Sequence, residues 1–93
     1  MKRNPDFIKR RIAEEVMLVP TGKAAQHFNG MITLSSVGEY IYDHVEEVAS
    51  MEELLQLLQD EYDVDAPRAA SETVQFTNEL LANGIIIKET PIW

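Results

Sequence analysis

Apolar and polar positions alternate with a period of two in three short stretches of the first third of the chain, and with a helical period after that. Phe7 to Ile12 and Glu15 to Pro20 are strand candidates rich in Ile and Val. Ala13-Glu14 between them reads as a tight hairpin, with Arg10 and Arg11 turned to solvent. Thr21-Gly22-Lys23 supplies turn chemistry after Pro20. Residues 28–34 then form a third strand, in which Phe28, Gly30, Ile32 and Leu34 share one face while Met31 and Thr33 point the other way.

That strand runs directly into a helix at the serine pair Ser35-Ser36. Ser36 accepts from a first-turn N–H while Glu39, three residues on, reaches back, the pattern of a capping box. Val37, Ile41, Val45 and Val48 follow as one apolar stripe and predict a helix over 36–48. Ser50 and Glu53 repeat the capping pattern, and Met51, Leu54, Leu55, Leu58 and Tyr62 line the buried face of a second helix over 50–62. Asp63-Val64-Asp65 is a link in which Asp65 caps a third helix over 66–83, with Pro67 in its first turn. Ala70, Thr73, Thr77, Leu80 and Leu81 form the inner face of that helix. Phe76 lies off it, and Gly84 is placed to end the helix in a left-handed conformation. Ile85-Ile86-Ile87 is a short extended run against the core, and Thr90-Pro91-Ile92-Trp93 is a tail. The order predicts an α+β domain of winged helix-turn-helix type: a three-stranded antiparallel sheet followed by three helices.

With 93 residues the chain forms one domain spanning 1–93, too short for two independent cores. It has no cysteine, which removes disulfides, thiolate metal sites and thiol nucleophiles and suits a reducing cytoplasm. Lys9, Arg10 and Arg11 interrupt the apolar start that a signal peptide needs, and no apolar run approaches the roughly 18 residues of a membrane span. The net charge of −8 is unevenly spread. Lys2, Arg3, Lys9, Arg10 and Arg11 crowd the start, whereas Glu39 to Asp65 carries acids and no Lys or Arg. An acidic chain without a basic helix gains little from phosphate contacts, so nucleic acid is a poor first partner.

Candidate chemistry changes this picture little. Asp43 and His44 are helix neighbours that point in different directions, and His44 flanks the Ile41, Val45 stripe as a structural histidine. His27 has no second metal ligand at a useful spacing, and Glu46-Glu47, Glu52-Glu53 and Asp60-Glu61 are solvated helix faces. No phosphate loop, nucleophile elbow or HExxH motif occurs. The reading is therefore a non-enzyme with no catalytic residues, metal site or cofactor of its own.

Val19-Pro20, then Phe28-Asn29-Gly30 with Ile32-Thr33-Leu34, Gly38 with Ile41-Tyr42, Met51-Glu52-Glu53-Leu54, Glu61-Tyr62-Asp63-Val64, and finally Phe76, Leu80 and Gly84-Ile85 stand in a fairly specific order. On these residues the chain resembles the coenzyme PQQ synthesis protein D (PqqD) family, whose fold is also called the RiPP recognition element. The resemblance implies a peptide chaperone that captures the leader of a ribosomally made precursor peptide by strand addition and presents it to a modifying enzyme, typically a radical SAM enzyme. Carried over by position, the peptide lies along Gly30, Met31, Ile32, Thr33 and Leu34 and beneath Ala69, Glu72, Thr73, Phe76 and Leu80. Ser35 stands where the family often has Asn, Tyr42 where it often has Trp, and Thr73 and Thr77 where it favours larger apolar residues.

Beside the functional readings stand structural ones. Met31 and Phe76 fill cores as readily as they line grooves, and Gly30 is either a strand distortion or a point of close backbone approach. Arg10 and Arg11 are solvated strand residues or anchors for an acidic leader. The alternative function is a winged-helix DNA-binding transcription regulator, which the spacing of residues 50–83 permits and which the charge pattern of its reading helix, Arg68 against Glu72 and Glu79, opposes by repelling phosphates. A purely structural interaction module is a third class. An edge strand awaiting a peptide also pairs with a second copy, so a monomer or weak homodimer is expected. The tail Ile92-Trp93 is a candidate cover for the groove.

Overall fold

A computed structural model describes residues 1–27, 30–62 and 65–89. Strands β1 (Lys2–Arg3), β2 (Phe7–Ile12) and β3 (Glu15–Pro20) precede a single helical turn α1 (Ala24–His27) and strand β4 (Ile32–Leu34). Helices α2 (Ser36–His44), α3 (Met51–Glu61) and α4 (Ala66–Ala82) follow, and β5 (Ile86–Ile87) comes last. The predicted architecture is present: β2-β3-β4 form an antiparallel three-stranded sheet, and three helices come after it.

The sheet is set by cross-strand partners. Phe7 faces Pro20, Lys9 faces Leu18 and Arg11 faces Val16, while Leu18 and Val16 in turn face Ile32 and Leu34. Those residues share the inner face, where Phe7, Val16, Leu18 and Leu34 are buried with Tyr42, Val45, Leu80, Ile85 and Ile86 in one cluster. A second cluster, Ile41, Val48, Leu54 and Leu58, fills the angle between α2 and α3. Phe76 packs against both clusters.

The β2-β3 hairpin turns through Ala13-Glu14, with Ala13 at φ 56°, where a side chain is strained. Ala13→Gly is expected to raise stability by about 0.5–1 kcal/mol, read as a higher urea midpoint with unchanged slope.

Several boundaries differ from the sequence reading. The third strand is three residues long rather than seven. Residues 28–29 lie outside the described residues, and Gly30, at φ 107°, turns the chain out of any extended run before Met31. A helical turn over Ala24–His27 occupies part of the connection that the reading left as a simple turn. The cap of α2 is Ser35 rather than Ser36: the Gly38 N–H donates to Ser35 Oγ at 3.0 Å, and Ser36 is already helical. Glu39 does not reach back to the cap but accepts from Lys9.

α2 stops at His44, not residue 48. The Glu47 N–H bonds back to the His44 carbonyl in a tighter turn, and the Ala49 N–H is taken by the Glu53 carboxylate that opens α3. Val45 and Val48 are nevertheless buried, Val37 is exposed, and His44 stacks on Tyr40 with ring centroids 4.2 Å apart. Ser50 and Asp65 cap α3 and α4, and the helix ends fall within one residue of those expected. Asp63 and Val64 of the link lie outside the described residues, as does the tail from Thr90 to Trp93.

Unforeseen was the pairing of β1 with β5, which matches Lys2 with Ile87 and Arg3 with Ile86 and so ties the first residues to the run after α4. Arg3 holds this strand to the turn after α2. Its backbone N–H and its guanidinium each donate to Glu46 at 3.0 Å, and these bonds hold the Glu46 carboxyl below its ordinary pKa.

Two observations on the helical side give further expectations. Lys9 reaches from the inner face of β2 to Asp43 at 2.8 Å and to Glu39 at 2.9 Å, and those hydrogen bonds, Asp43 first, raise its pKa above 10.5. A raised pKa contributes stability that is complete below pH 10.5 and lost as pH rises through the higher folded value. Lys9→Met should therefore cost at most about 1 kcal/mol near neutrality. The difference from wild type, followed by urea melts, should shrink as pH rises through that alkaline range. Thr77 is buried with its hydroxyl unpartnered, so Thr77→Val is expected to stabilise the fold by about 1 kcal/mol, seen in the same melts.

Candidate functional site

β4 is an edge strand. It pairs with β3 on one side, and on its other side no strand lies beside it among the described residues. β2 is the opposite edge of the same sheet, but Lys9, Arg10 and Arg11 put three charges along it, which discourages a further strand. β4 (Ile-Thr-Leu) has no charge. Its Ile32 is half-buried against the main cluster, Thr33 is exposed and Leu34 is buried.

The chain leaves β4 through Ser35, which both caps α2 and lines a cleft of about 460 Å³ between α2, α3 and α4. Ile41, Leu58 and Phe76 supply apolar floor, and Asp65, Arg68 and Glu72 stand around it as charged residues. The Arg68 guanidinium donates to Glu72 at 3.0 Å, one helical turn apart, with both side chains largely exposed. A cleft of this size matches small ligands or one large side chain of a peptide.

Gly38 makes room on α2 for the Phe76 ring of α4. A Cβ at this position would lie 3.3 Å from Phe76 Cζ and 3.2 Å from Ser35 Oγ, tighter than ordinary contact. The missing side chain lets the Phe76 ring rest against the first turn of α2, half-buried between the two clusters and beside the cleft.

The structure divides the residues expected to hold a peptide into three groups. Ala69, Glu72, Thr73 and Phe76 line the cleft. Ile32, Thr33 and Leu34 form the open edge, with Gly30 and Met31 just before it; Met31 is 55% exposed. Leu80 is buried in the main core and does not line the cleft. Sequence reasoning missed Val37, Gly38, Tyr62, Asp65 and Arg68 as lining residues. A glycine in the first turn of an otherwise good helix was the available signal for Gly38 and its close approach.

Among the described residues, no three His, Asp or Glu are grouped to hold a metal ion, and no helix is long and apolar enough to cross a membrane.

Residues 14–86 match the family model described as coenzyme PQQ synthesis protein D (PqqD). Among solved structures, TbiB1 in complex with the TbiA(beta) leader peptide is similar in fold. The TM-score is 0.72 at 23% identity, covering 97% of this chain and 99% of that one. None of the curated proteins matches. The family match runs from the tip of the β2-β3 hairpin into β5 and takes in the edge strand, the cleft and all three long helices, so the chain belongs to the PqqD family.

Proposed function

We propose that this protein is a non-enzymatic peptide chaperone. The free edge of β4 adds the leader of a ribosomally made precursor peptide as a further strand, and the adjoining cleft grips one of the leader's apolar side chains. The observation that carries the reading is the continuity of the two features: an uncharged edge, with no strand beside it among the described residues, that leads through Ser35 into a cleft floored by Phe76. The solved relative in fold is itself held with a leader peptide.

The energetics require both parts. Each added backbone hydrogen bond contributes about 0.5–1.5 kcal/mol net, while ordering each peptide residue costs roughly 1–2 kcal/mol, so pairing along β4 alone about breaks even. Burying one Leu- or Phe-sized side chain in the cleft adds about 1.5–3 kcal/mol and supplies selectivity. Arg68 and Glu72 then sort leaders by the charges flanking that side chain.

The peptide contacts are assigned to Gly30, Met31, Ile32, Thr33 and Leu34 on the edge and to Ala69, Glu72, Thr73 and Phe76 on α4, with Leu80 supporting them from the core. The peptide's core segment goes to a separate modifying enzyme, a radical SAM enzyme or other maturase, which brings any cofactor, and the complex works in the cytoplasm. DNA binding gains no support: Arg68 is the one cation of α4 and is paired with Glu72.

Titration of isotope-labelled protein with the precursor encoded beside it is the test. Saturable shifts at amides of Met31 to Leu34 and around Phe76 are expected. Saturable binding elsewhere rejects this site, and no binding rejects the role.

A further inference from the structure

The three-stranded sheet has a second face. Cross-strand pairs place Ile8 with Val19, Arg10 with Met17 and Ile12 with Glu15 on the side away from the core, and Thr33 beside Met17. Ile8 is 40% and Ile12 48% exposed, and Arg10, Glu15 and Thr33 are exposed as well. The face is thus largely apolar, with one cation and one anion. Neither Arg10 nor Glu15 has an ion-pair partner among the described residues, whereas Lys9 and Arg11, on the inner face, both reach Glu39.

We propose that this outer sheet face is a self-association surface, on which a second copy of the chain exchanges Arg10–Glu15 pairs about a two-fold axis. The face is complementary to itself in charge, Arg10 to Glu15. Register puts Glu15 one strand across and two residues along from Arg10, roughly 8 Å away at ordinary sheet spacings. A two-fold axis in the plane between two such faces, midway between these residues, sets each Arg10 over the partner's Glu15. It also brings Ile12 over Ile12 and Met17 over Met17, with strands crossing at roughly 70°, near the orthogonal class of sheet packing.

Approach by the face of α3 and the turn before it is opposed by like charge. The net charge is −8, and Glu46, Glu47, Glu52, Glu53, Asp60 and Glu61 are exposed along α3 and the turn before it. The sheet face is where two copies meet with those acids pointing apart. It leaves the β4 edge open in both copies, so this association is independent of the peptide reading.

The contact is small, a few residues a side against the 20–30 of a standard interface, so dissociation on the order of 100 μM is expected. Sedimentation analysis of the full chain from about 10 μM to 1 mM should show a monomer–dimer equilibrium in that range. Arg10→Glu and Glu15→Arg should each weaken it at least about fivefold, and the double swap should restore it to within about twofold.

Glu15→Arg is the sharp arm. It removes one negative charge and adds one positive, taking the net charge from −8 to −6. Relief of general repulsion would strengthen the dimer, whereas loss of the pair weakens it. A monomer throughout the range overturns the proposal. So does a dimer that neither single variant weakens, which points to the β4 edge or another surface. Single losses without restoration overturn the Arg10–Glu15 exchange.

Discussion

Leu18→Ala is expected to lower the unfolding free energy by about 3–4 kcal/mol, out of a total of about 5–15 kcal/mol for a domain of this size. Leu18 is fully buried in the central strand of the sheet, opposite Lys9 on one side and Ile32 on the other. Truncation removes its transfer energy and leaves a void that strands pinned on both sides cannot close, so the cost falls in the upper part of the range for such changes. β4 hangs on the sheet through Leu18, Met17 and Val16, so the same void should loosen the edge strand. Urea unfolding should show the lower midpoint, and amide exchange should show the largest loss of protection at Ile32 to Leu34. A loss below about 1 kcal/mol would mean that the core repacks around the gap and that the strands are not rigidly pinned.

Ala69→Arg is expected to cut leader-peptide affinity at least tenfold, about 1.4 kcal/mol or more, while leaving the fold intact. Ala69 is half-buried on α4 and lines the cleft beside Thr73 and Phe76. An arginine stem there fills the space assigned to the peptide's apolar side chain. Arginine is almost as good a helix former as alanine, and Glu72 lies one turn away to pair with it, so the urea midpoint should move by no more than about 0.5 kcal/mol in energy. Met31→Ser is the companion, since it trims the exposed approach to the edge and leaves the cleft open. It should cost only about threefold in affinity, because one partly buried side chain contributes less than the filled cleft. Unchanged affinity in Ala69→Arg would remove the cleft from the peptide site and leave the strand edge to account for binding.

Much of this fold was legible along the chain because its signals are local. The hairpin around Ala13-Glu14, the caps at Ser50 and Asp65 and the inner stripe of α4 each depend on residues within a turn or two of one another. Where a local signal had two solutions the reading chose wrongly. Ser35 and Ser36 offer the same hydroxyl, and the extended backbone at Ser35, set by β4 before it, decides which one caps α2. The length of β4 was overestimated because alternation continues through Gly30, while the backbone at Gly30 turns away.

The candidate site was half legible. Ala69, Glu72, Thr73 and Phe76 share one region of α4, and a family pattern pointed to them. Val37, Tyr62 and Asp65 come to the same cleft from α2, α3 and the start of α4, and no spacing along the chain relates them.

By itself the sequence determined the three main strands and three long helices, their order, the buried stripes and the uneven charge, since each follows from short-range periodicity and composition. Only the tertiary structure decided that β1 closes against β5, that Lys9 turns inward to Asp43 and Glu39, and that no strand among the described residues lies on the far side of β4, next to the cleft. Those outcomes join residues tens of positions apart. They are set by packing between elements and not by any pattern within one of them, as the Phe76 ring resting against Gly38 illustrates.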